Sequence, residues 1–506
     1  MSSSLLCFLE ERNTRWPNKP AVRQATGPSV SYRNFFANAK SLSTLFPSAS
    51  TVSVVLGNSI EHAVVFLAIT AAGSAIAPLN SELSEREFEF FLARSPGGLV
   101  VGKQGHQVAE ACARKLGLEI FRVNLAHDGL VKGDVVRKRD GGELSKPEKN
   151  TPSIPPNSTA LILFTSGTTG TPKSVPLSHT NLTASIQNII GTYSLSESDS
   201  TLAIMPLFHI HGLMASLFAT LGSGGTVVFP RSGKFSPSTF FEDLTHSTWF
   251  TAVPTMHQIV LSTHTSSVRF PKLRFVRSCS AALAPVLLDK LEKLYGVEVL
   301  EAYAMTEAAH QMTSNPPGRR KAGTVGIPHG CVEIGIFDPN GNPASKGEIC
   351  VKGANVTLGY LGGGTEGSQS NDAFFPNGFF RTGDEGFLDK DGFLTITGRL
   401  KELINRAGEK ISPIEIDSLL LTHPDISEAV TFAVPDHKYG EVVGVAVIIK
   451  KGASLSKPQI SEFVRANLAP FKVPAHIFIG TDMPRTATGK IQRRKVAEHF
   501  LRSSKL

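Results

Sequence analysis

Short apolar runs ending in turn residues, ALILFTSG (160–167), GTVVFP (225–230), RFVRSCSA (274–281) and VEVLEAY (297–303), alternate with stretches of helical spacing such as LLDKLEKLYG (287–296). Runs of four to eight β-favouring residues bounded by glycine or serine read as strands, and strands separated by helices pair in parallel or mixed sheets that the helices cover. The pattern places the chain in the α/β class. With 506 residues it exceeds what one hydrophobic core organises, so two or more domains are expected. After Gly326 the character changes. EIGIFDPNGNPASKGEICVKG (333–353) and GFLDKDGFLTITGR (386–399) look like an antiparallel or barrel-like piece, with DPNGN and DKDG as hairpin turns. Helix and strand patterns return from Arg399 in a shorter α+β unit. The expected organisation is a large N-terminal domain of mixed α/β sheets over 1–398 and a small C-terminal domain over 399–506. Gly133 to Ser158 and Leu361 to Ala373 read as surface loops.

The segment HAVVFLAITAAGSAIAPLN (His62 to Asn80) carries no charge over nearly the length that spans a bilayer. Gly73, Ser74 and Pro78 interrupt it, which predicts a buried helix ending near Gly73 and a short buried strand instead of a membrane span. The first residues, MSSSLLCFLEERNTRWPNK, hold too short an apolar stretch for a secretory signal. Five cysteines without a C-x-x-C pair suggest neither a disulfide framework nor a zinc site, and fit a reducing compartment. Ser504, Lys505 and Leu506 form the S-K-L address read by the peroxisomal import receptor, so a peroxisomal location is expected, with the cytosol as the alternative. Residues 399–506 hold 17 Lys and Arg against 11 Asp and Glu, within a chain of formal charge +8. Such a field suits nucleic acid or a multi-anionic small substrate, and no nucleic-acid motif accompanies it.

In ILFTSGTTGTPKSVPLSH (162–179) an apolar run breaks into hydroxyls and glycines and then meets Lys173. Glycines let backbone approach an anion, hydroxyls donate hydrogen bonds and lysine adds charge, so phosphate is the natural guest. A P-loop NTPase needs glycine directly before the lysine. Pro172 stands there and removes an N–H from the nest, which argues against that fold.

TSGTTGTPKSVPLSH is similar to the phosphate-binding motif of the adenylate-forming superfamily of acyl-CoA synthetases and luciferase-like enzymes. The further motifs follow in that family's order: YAMTE (303–307), FRTGDEG (380–386), GRLKELINRAGEKISPIEI (398–416) and PRTATGKIQRR (484–494). The resemblance covers nearly the whole chain. It implies that a carboxylate attacks the α-phosphate of ATP to give acyl-adenylate and pyrophosphate, and that a mobile C-terminal domain then turns so that coenzyme A can displace AMP. Carried over by position, ATP binding falls to Thr165, Ser166, Gly167, Thr168, Thr169, Gly170, Lys173, Ala302, Tyr303, Thr306, Asp384, Arg399 and Lys490. Tyr303 would stack on adenine, Asp384 would accept from both ribose hydroxyls with Arg399 nearby, and Glu307 would hold Mg²⁺, a hard cation suited to carboxylate oxygen. Thr306, Glu307 and Lys490 are the implied catalytic set, Lys490 being a point charge on a flexible stem. Lys401 matches the family's hinge, and Arg406 and Gly408 fall where the coenzyme A arm would pass. Each position has a plainer reading, a solvated turn for the phosphate loop, a helix cap for MTEAAH and a turn aspartate for Asp384, and the motif order outweighs them.

The sections expected to line the acyl pocket, PLFHIHGLMAS (206–216), TWFTAVPTMHQ (248–258), RSCSAAL (277–283) and TEAAHQMTSNPP (306–317), are crowded with histidine and serine. A pocket for a fatty acid has no use for them. His211, Ser280 and His310 are the candidates for binding a second carboxylate. RSCSAALAP, LEAYAMTEAAHQM and TATGKIQRR look like the oxalate–CoA ligase branch, which implies oxalate as the acid. Malonate or a medium-chain or aryl acid remains open, as does, in another class, an RNA-binding protein using the basic C-terminal end. His209 is assigned to structure, because PLFH also occurs in members of the family with apolar substrates.

Overall fold

The computed structural model of the protein describes residues 4–138, 154–165, 172–264, 270–361, 373–485 and 491–503. An eight-stranded sheet runs His310–Ser314, Val299–Met305, Phe275–Cys279, Trp249–Ala252, Ser200–Leu202, Thr226–Phe229, Pro20–Gln24 and Ser29–Ser31 in spatial order. Its interior pairs are parallel and both edge pairs antiparallel. A seven-stranded sheet, also parallel inside, begins at Val131–Arg137 and ends with Thr159–Thr165 beside Lys173–Ser178. One apolar core joins the two. It takes Val52, Val54 and Leu161 from the smaller sheet, Val22, Phe229 and Phe275 from the larger, and the helices Ile60–Ala71 and His179–Tyr193 between them.

That placement explains the charge-free segment. Helix Ile60–Ala71 is buried on nearly every face except Glu61, as a helix between two sheets must be, and strand Ala75–Pro78 follows it, wholly buried. Among the described residues no helix is long and apolar enough to cross a membrane.

Strands Glu333–Phe337, Gly347–Lys352, Phe380–Leu388 and Leu394–Arg399 form the antiparallel sheet expected after Gly326. Its turns are the expected ones: Asp338 accepts from the N–H groups of Asn340 and Asn342, and Asp389 from those of Asp391 and Phe393. Beyond Leu403 the chain builds a five-stranded sheet of its own around Ile426–Asp436 and Gly440–Ile449, with a separate core of Ile404, Ile416, Val443 and Ile460. The two parts touch where the Ser412 hydroxyl donates to the Thr397 carbonyl and Arg493 pairs with Glu402.

One expectation fails. Gly133 to Arg137 belongs to strand Val131–Arg137, not to a loop. Lys132, Asp134 and Val136 point to water while Val131, Gly133 and Val135 face inward, the alternation of an edge strand, which its charges had disguised. Residues 154–158 of that stretch are the non-strand turn expected of a loop, while 139–153, and residues 362–372 of the second loop, lie outside the described residues.

Candidate active site

In an open sheet, ligands gather beyond the carboxyl ends of parallel strands. Three neighbouring strands deliver their ends here: Trp249–Ala252 carries Thr251, Phe275–Cys279 runs into Ser280, and Val299–Met305 runs into Thr306 and Glu307. The chain then turns sharply through one 3₁₀ turn, Thr306–Ala308, and returns as His310–Ser314, so MTEAAH does not cap a helix. Ser280, Ala309 and His310 hold φ values of 73°, 44° and 95°. Side chains rarely adopt that region, and its use at consecutive site positions marks strain kept by the surrounding packing.

His211 reaches this place from the start of the π-helical segment His211–Phe218. A Cβ at Gly212 would lie 2.4 Å from the Pro206 carbonyl oxygen and 2.5 Å from that of Met205, so only glycine lets the segment pack so closely. The His211 and His310 rings stack with centroids 4.9 Å apart. His211 Nδ1 is 3.1 Å from Ser280 Oγ and its Nε2 is 2.6 Å from Thr251 Oγ1. The three residues expected to bind the acid are thus brought together, with His211 and His310 buried. Burial holds His310 well below the usual histidine range, and the charge of Arg277 and the neighbouring His211 push the same way. Its Nε2 has no hydrogen-bond partner among the described residues.

Beneath them lies Arg277, wholly buried. Its Nε donates to the Tyr193 hydroxyl at 2.6 Å, one terminal nitrogen reaches Thr251 Oγ1 at 3.2 Å and His211 Nε2 at 3.3 Å, and the other reaches Gln311 Oε1 at 3.4 Å. No carboxylate pairs with it among the described residues, an unusual state for a buried cation.

The nucleotide candidates form a second cluster. The Tyr303 hydroxyl donates to Asp384 Oδ2 at 2.5 Å, and Arg399 Nε donates to Asp384 Oδ1 at 2.9 Å. Burial, then the Asp384 carboxylate, raises the Tyr303 hydroxyl well above the usual phenol range. The same carboxylate, as the leading cause, raises Arg399 further. Each carboxylate oxygen keeps a second lone pair for a guest. Ala302 lies on the same strand as Tyr303, at the register of Ser314.

Glu307 is 8% exposed, and its Oε1 accepts from the Tyr360 hydroxyl at 2.8 Å. Lys173 Nζ stands 4.2 Å from the centre of the Tyr360 ring. Lys173 in turn faces Thr165 across the last pair of the Thr159–Thr165 and Lys173–Ser178 ladder. Lys173 of the phosphate motif and the candidate metal ligand Glu307 therefore share one neighbour, Tyr360. A carboxylate whose rotation a tyrosine fixes offers oxygen of the kind Mg²⁺ takes, so the residues fit that ion. Ser166, Gly167, Thr168, Thr169 and Gly170, and likewise Lys490, lie outside the described residues, as do Ser504, Lys505 and Leu506.

Arg406 and Gly408 are not brought to this site by any described contact. The Arg406 guanidinium sits 4.2 Å from the centre of the Tyr439 ring, and Gly408 stands in a tight hairpin with φ 96° and nothing within 4 Å of a built Cβ. The turn alone accounts for glycine there. Lys401 lies in the 3₁₀ turn Leu400–Glu402 that joins the antiparallel sheet to the last unit. A cavity of about 1030 Å³, lined by Asn58, Lys234, Met256, Lys450 and others, opens between the large sheet and the last unit and includes none of the three acid-binding candidates.

Sequence reasoning missed Arg277, Thr251, Tyr193, Gln311 and Tyr360. A lone arginine or threonine in an apolar strand carries no positional signal, whereas Tyr360, next to a glycine run and in step with the phosphate motif, stood beside a segment read only as loop.

Where the parallel strand Val299–Met305 ends, Tyr303 meets Asp384 and Arg399 of the antiparallel sheet, Glu307 offers a carboxylate fit for a divalent ion, and Thr165 and Lys173 flank the phosphate motif; together these define a nucleotide-handling enzyme. The chain belongs to the AMP-binding enzyme family: it matches the AMP-binding enzyme over residues 9–361 and the AMP-binding enzyme C-terminal domain over 415–490. It is 47% identical over 461 residues to an oxalate–CoA ligase of Arabidopsis thaliana, covering 89% of this chain and 88% of that one. It is 41% identical over 525 residues to an oxalate–CoA ligase of Saccharomyces cerevisiae, covering 96% of each. The solved structure of ATP-bound MatB from Rhodopseudomonas palustris superposes with a TM-score of 0.87 at 29% identity over 99% of each chain.

Proposed function

We propose that the protein is an ATP-dependent, AMP-forming acid–CoA ligase that converts oxalate to oxalyl-CoA. The observation that carries this reading is the polar cluster of buried His211 and His310 with half-buried Ser280 where a ligase for fatty acids would need an apolar wall. A buried polar atom without a partner is costly, His310 Nε2 has none among the described residues, and a second carboxylate accepting from its N–H removes that cost. The names of the Arabidopsis and yeast relatives point to the same acid.

In the first step one oxalate carboxylate oxygen attacks the α-phosphorus of ATP, the bond to the β-phosphate oxygen breaks, and pyrophosphate leaves. Asp384 accepts from the ribose hydroxyls, Tyr303 and Arg399 hold that carboxylate in place, and Thr165 and Lys173 flank the phosphate motif. Thr306 and Glu307 follow the end of strand Val299–Met305 and are assigned to the α-phosphate and its metal ion. Mg²⁺ held by Glu307 supplies charge neutralisation on the phosphates. Lys490 is assigned to the α-phosphate and the attacking carboxylate, where two anions must approach each other. In the second step the coenzyme A thiolate attacks the acyl carbon and AMP leaves. Rotation of the unit after residue 398 about Lys401 would withdraw Lys490 and present Arg406 and Gly408.

The test is AMP release with ATP, Mg²⁺ and CoA against oxalate, malonate, acetate, octanoate and 4-coumarate. Activity confined to oxalate is expected. Preference for octanoate or 4-coumarate would remove His211 and His310 from carboxylate binding.

A further inference from the structure

We infer that Arg277 is a positioning residue for specificity: through Thr251 and His211 it fixes the direction of a hydrogen-bond chain so that the Ser280 O–H stays free to donate to the second carboxylate of a dianionic acid. The inference rests on the ligase reading above and extends it to residues that touch no substrate.

The direction follows from what each group can do. A guanidinium has donors and no acceptor. Arg277 aims one nitrogen at both Thr251 Oγ1, 3.2 Å away, and His211 Nε2, 3.3 Å away. Thr251 Oγ1, accepting from Arg277, turns its own hydrogen to His211 Nε2 at 2.6 Å. Nε2 is therefore the lone-pair nitrogen, and the imidazole proton sits on Nδ1. From there it is donated to Ser280 Oγ at 3.1 Å. Ser280 Oγ then accepts at one lone pair, and its O–H is not drawn to His211 and is left to donate. The unpartnered Nε2 of His310, on the ring stacked against His211, supplies a second polar atom at the same place. Both ends of the chain agree. Tyr193 and Gln311 grip the far side of the guanidinium, so Arg277 cannot turn away.

The buried charge has a second effect. With no carboxylate beside it, Arg277 leaves the pocket electropositive until a dianion enters, and a monoacid leaves that charge unanswered. Discrimination between oxalate and acetate is thus placed in Arg277, not only in the groups that touch the acid.

The test compares kcat/KM for oxalate and for acetate in wild type, Arg277→Gln, Arg277→Lys and Thr251→Val, together with the imidazole ¹⁵N resonances of His211 without substrate. Arg277→Gln is expected to lower the oxalate value about 10- to 150-fold while acetate changes little, with Arg277→Lys recovering part of the loss. Thr251→Val keeps the cation and removes the hydroxyl step at 2.6 Å, leaving His211 Nε2 only the longer 3.3 Å contact with Arg277, so it is expected to lower the oxalate-to-acetate ratio and to convert a single Nδ1–H tautomer of His211 into a mixture. A folded Arg277→Gln protein with an unchanged ratio overturns the inference. If Arg277→Gln does not fold, Thr251→Val decides in the same way. A wild type that prefers acetate would instead defeat the oxalate reading, and the His211 tautomer would still report on the relay: any state other than Nδ1–H in wild type overturns it.

Discussion

Replacing Asp384 by asparagine keeps the size and shape of a buried residue and removes only its charge and one acceptor. Its two oxygens accept from the Tyr303 hydroxyl at 2.5 Å and from Arg399 Nε at 2.9 Å. Asparagine can keep the tyrosine as donor to its oxygen, but its NH₂ then faces the Arg399 N–H. Because the Arg399 side chain is 52% exposed it can turn to water, so stability should fall by only about 1 kcal/mol. Nucleotide binding should lose more. One charge-assisted bond to a ribose hydroxyl contributes about 1.5–3 kcal/mol, which corresponds to a rise in the KM for ATP of about 10- to 150-fold. The assay is AMP release against ATP and against 2′-deoxy-ATP. In wild type, loss of the 2′-hydroxyl should be costly, and in Asp384→Asn that cost should shrink, because the partner is already impaired. A folded variant whose KM for ATP stays within about threefold of wild type, with the same preference for ATP over the deoxy analogue, would refute a ribose role for Asp384.

Tyr360→Phe keeps the ring beside Lys173 and removes the hydroxyl on Glu307; kcat should fall about 3- to 30-fold and half-saturation by Mg²⁺ should rise, as read from a magnesium titration of AMP release. Gly212→Ala drives a methyl into two backbone carbonyls and should cost about 2–3 kcal/mol, visible as a lower Tm in calorimetry; an unchanged Tm would contradict the packing described. Burial lowers His62, His179 and His257 from 6.5 to about 4. A depressed folded-state value means that unfolding takes up protons as pH falls below 6.5, so stability is full above that pH and declines towards pH 4, by about 1.4 kcal/mol per histidine at pH 5.5. Urea unfolding at pH 7.5 and 5.5 checks this, and His257→Gln should flatten the difference.

Much of the architecture was written in the apolar runs, since strands buried on both faces must be almost wholly apolar and FVRSC, VLEAY and TALILFT nearly are. Arg277 is the exception inside one of them, and a sequence gives no means to tell a buried arginine gripped by Tyr193 and Gln311 from one that snorkels to water. Asp384 and Glu307 could be picked because the motifs that hold them resemble the family's, and His211 and His310 because histidines crowd the sections expected to line the acyl pocket. Their supports could not: Thr251 looks like any strand threonine, and Tyr360 acquires meaning only when the fold sets Glu307 and Lys173 on either side of it. The strand Val131–Arg137 went unread because an edge strand half in water has the composition of a loop. Gly408 shows the opposite case, a residue chosen for a passage to the thiol whose hairpin conformation already demands glycine.

The account's central claim is that a second carboxylate lies against His211, Ser280 and His310, and a crystal structure of the protein with AMP and oxalate measures it directly. One carboxylate is expected beside Thr306, and the other within hydrogen-bond distance of Ser280 Oγ and His310 Nε2. Oxalate seated away from both, with that polar cluster turned to solvent or to protein groups alone, would contradict the account.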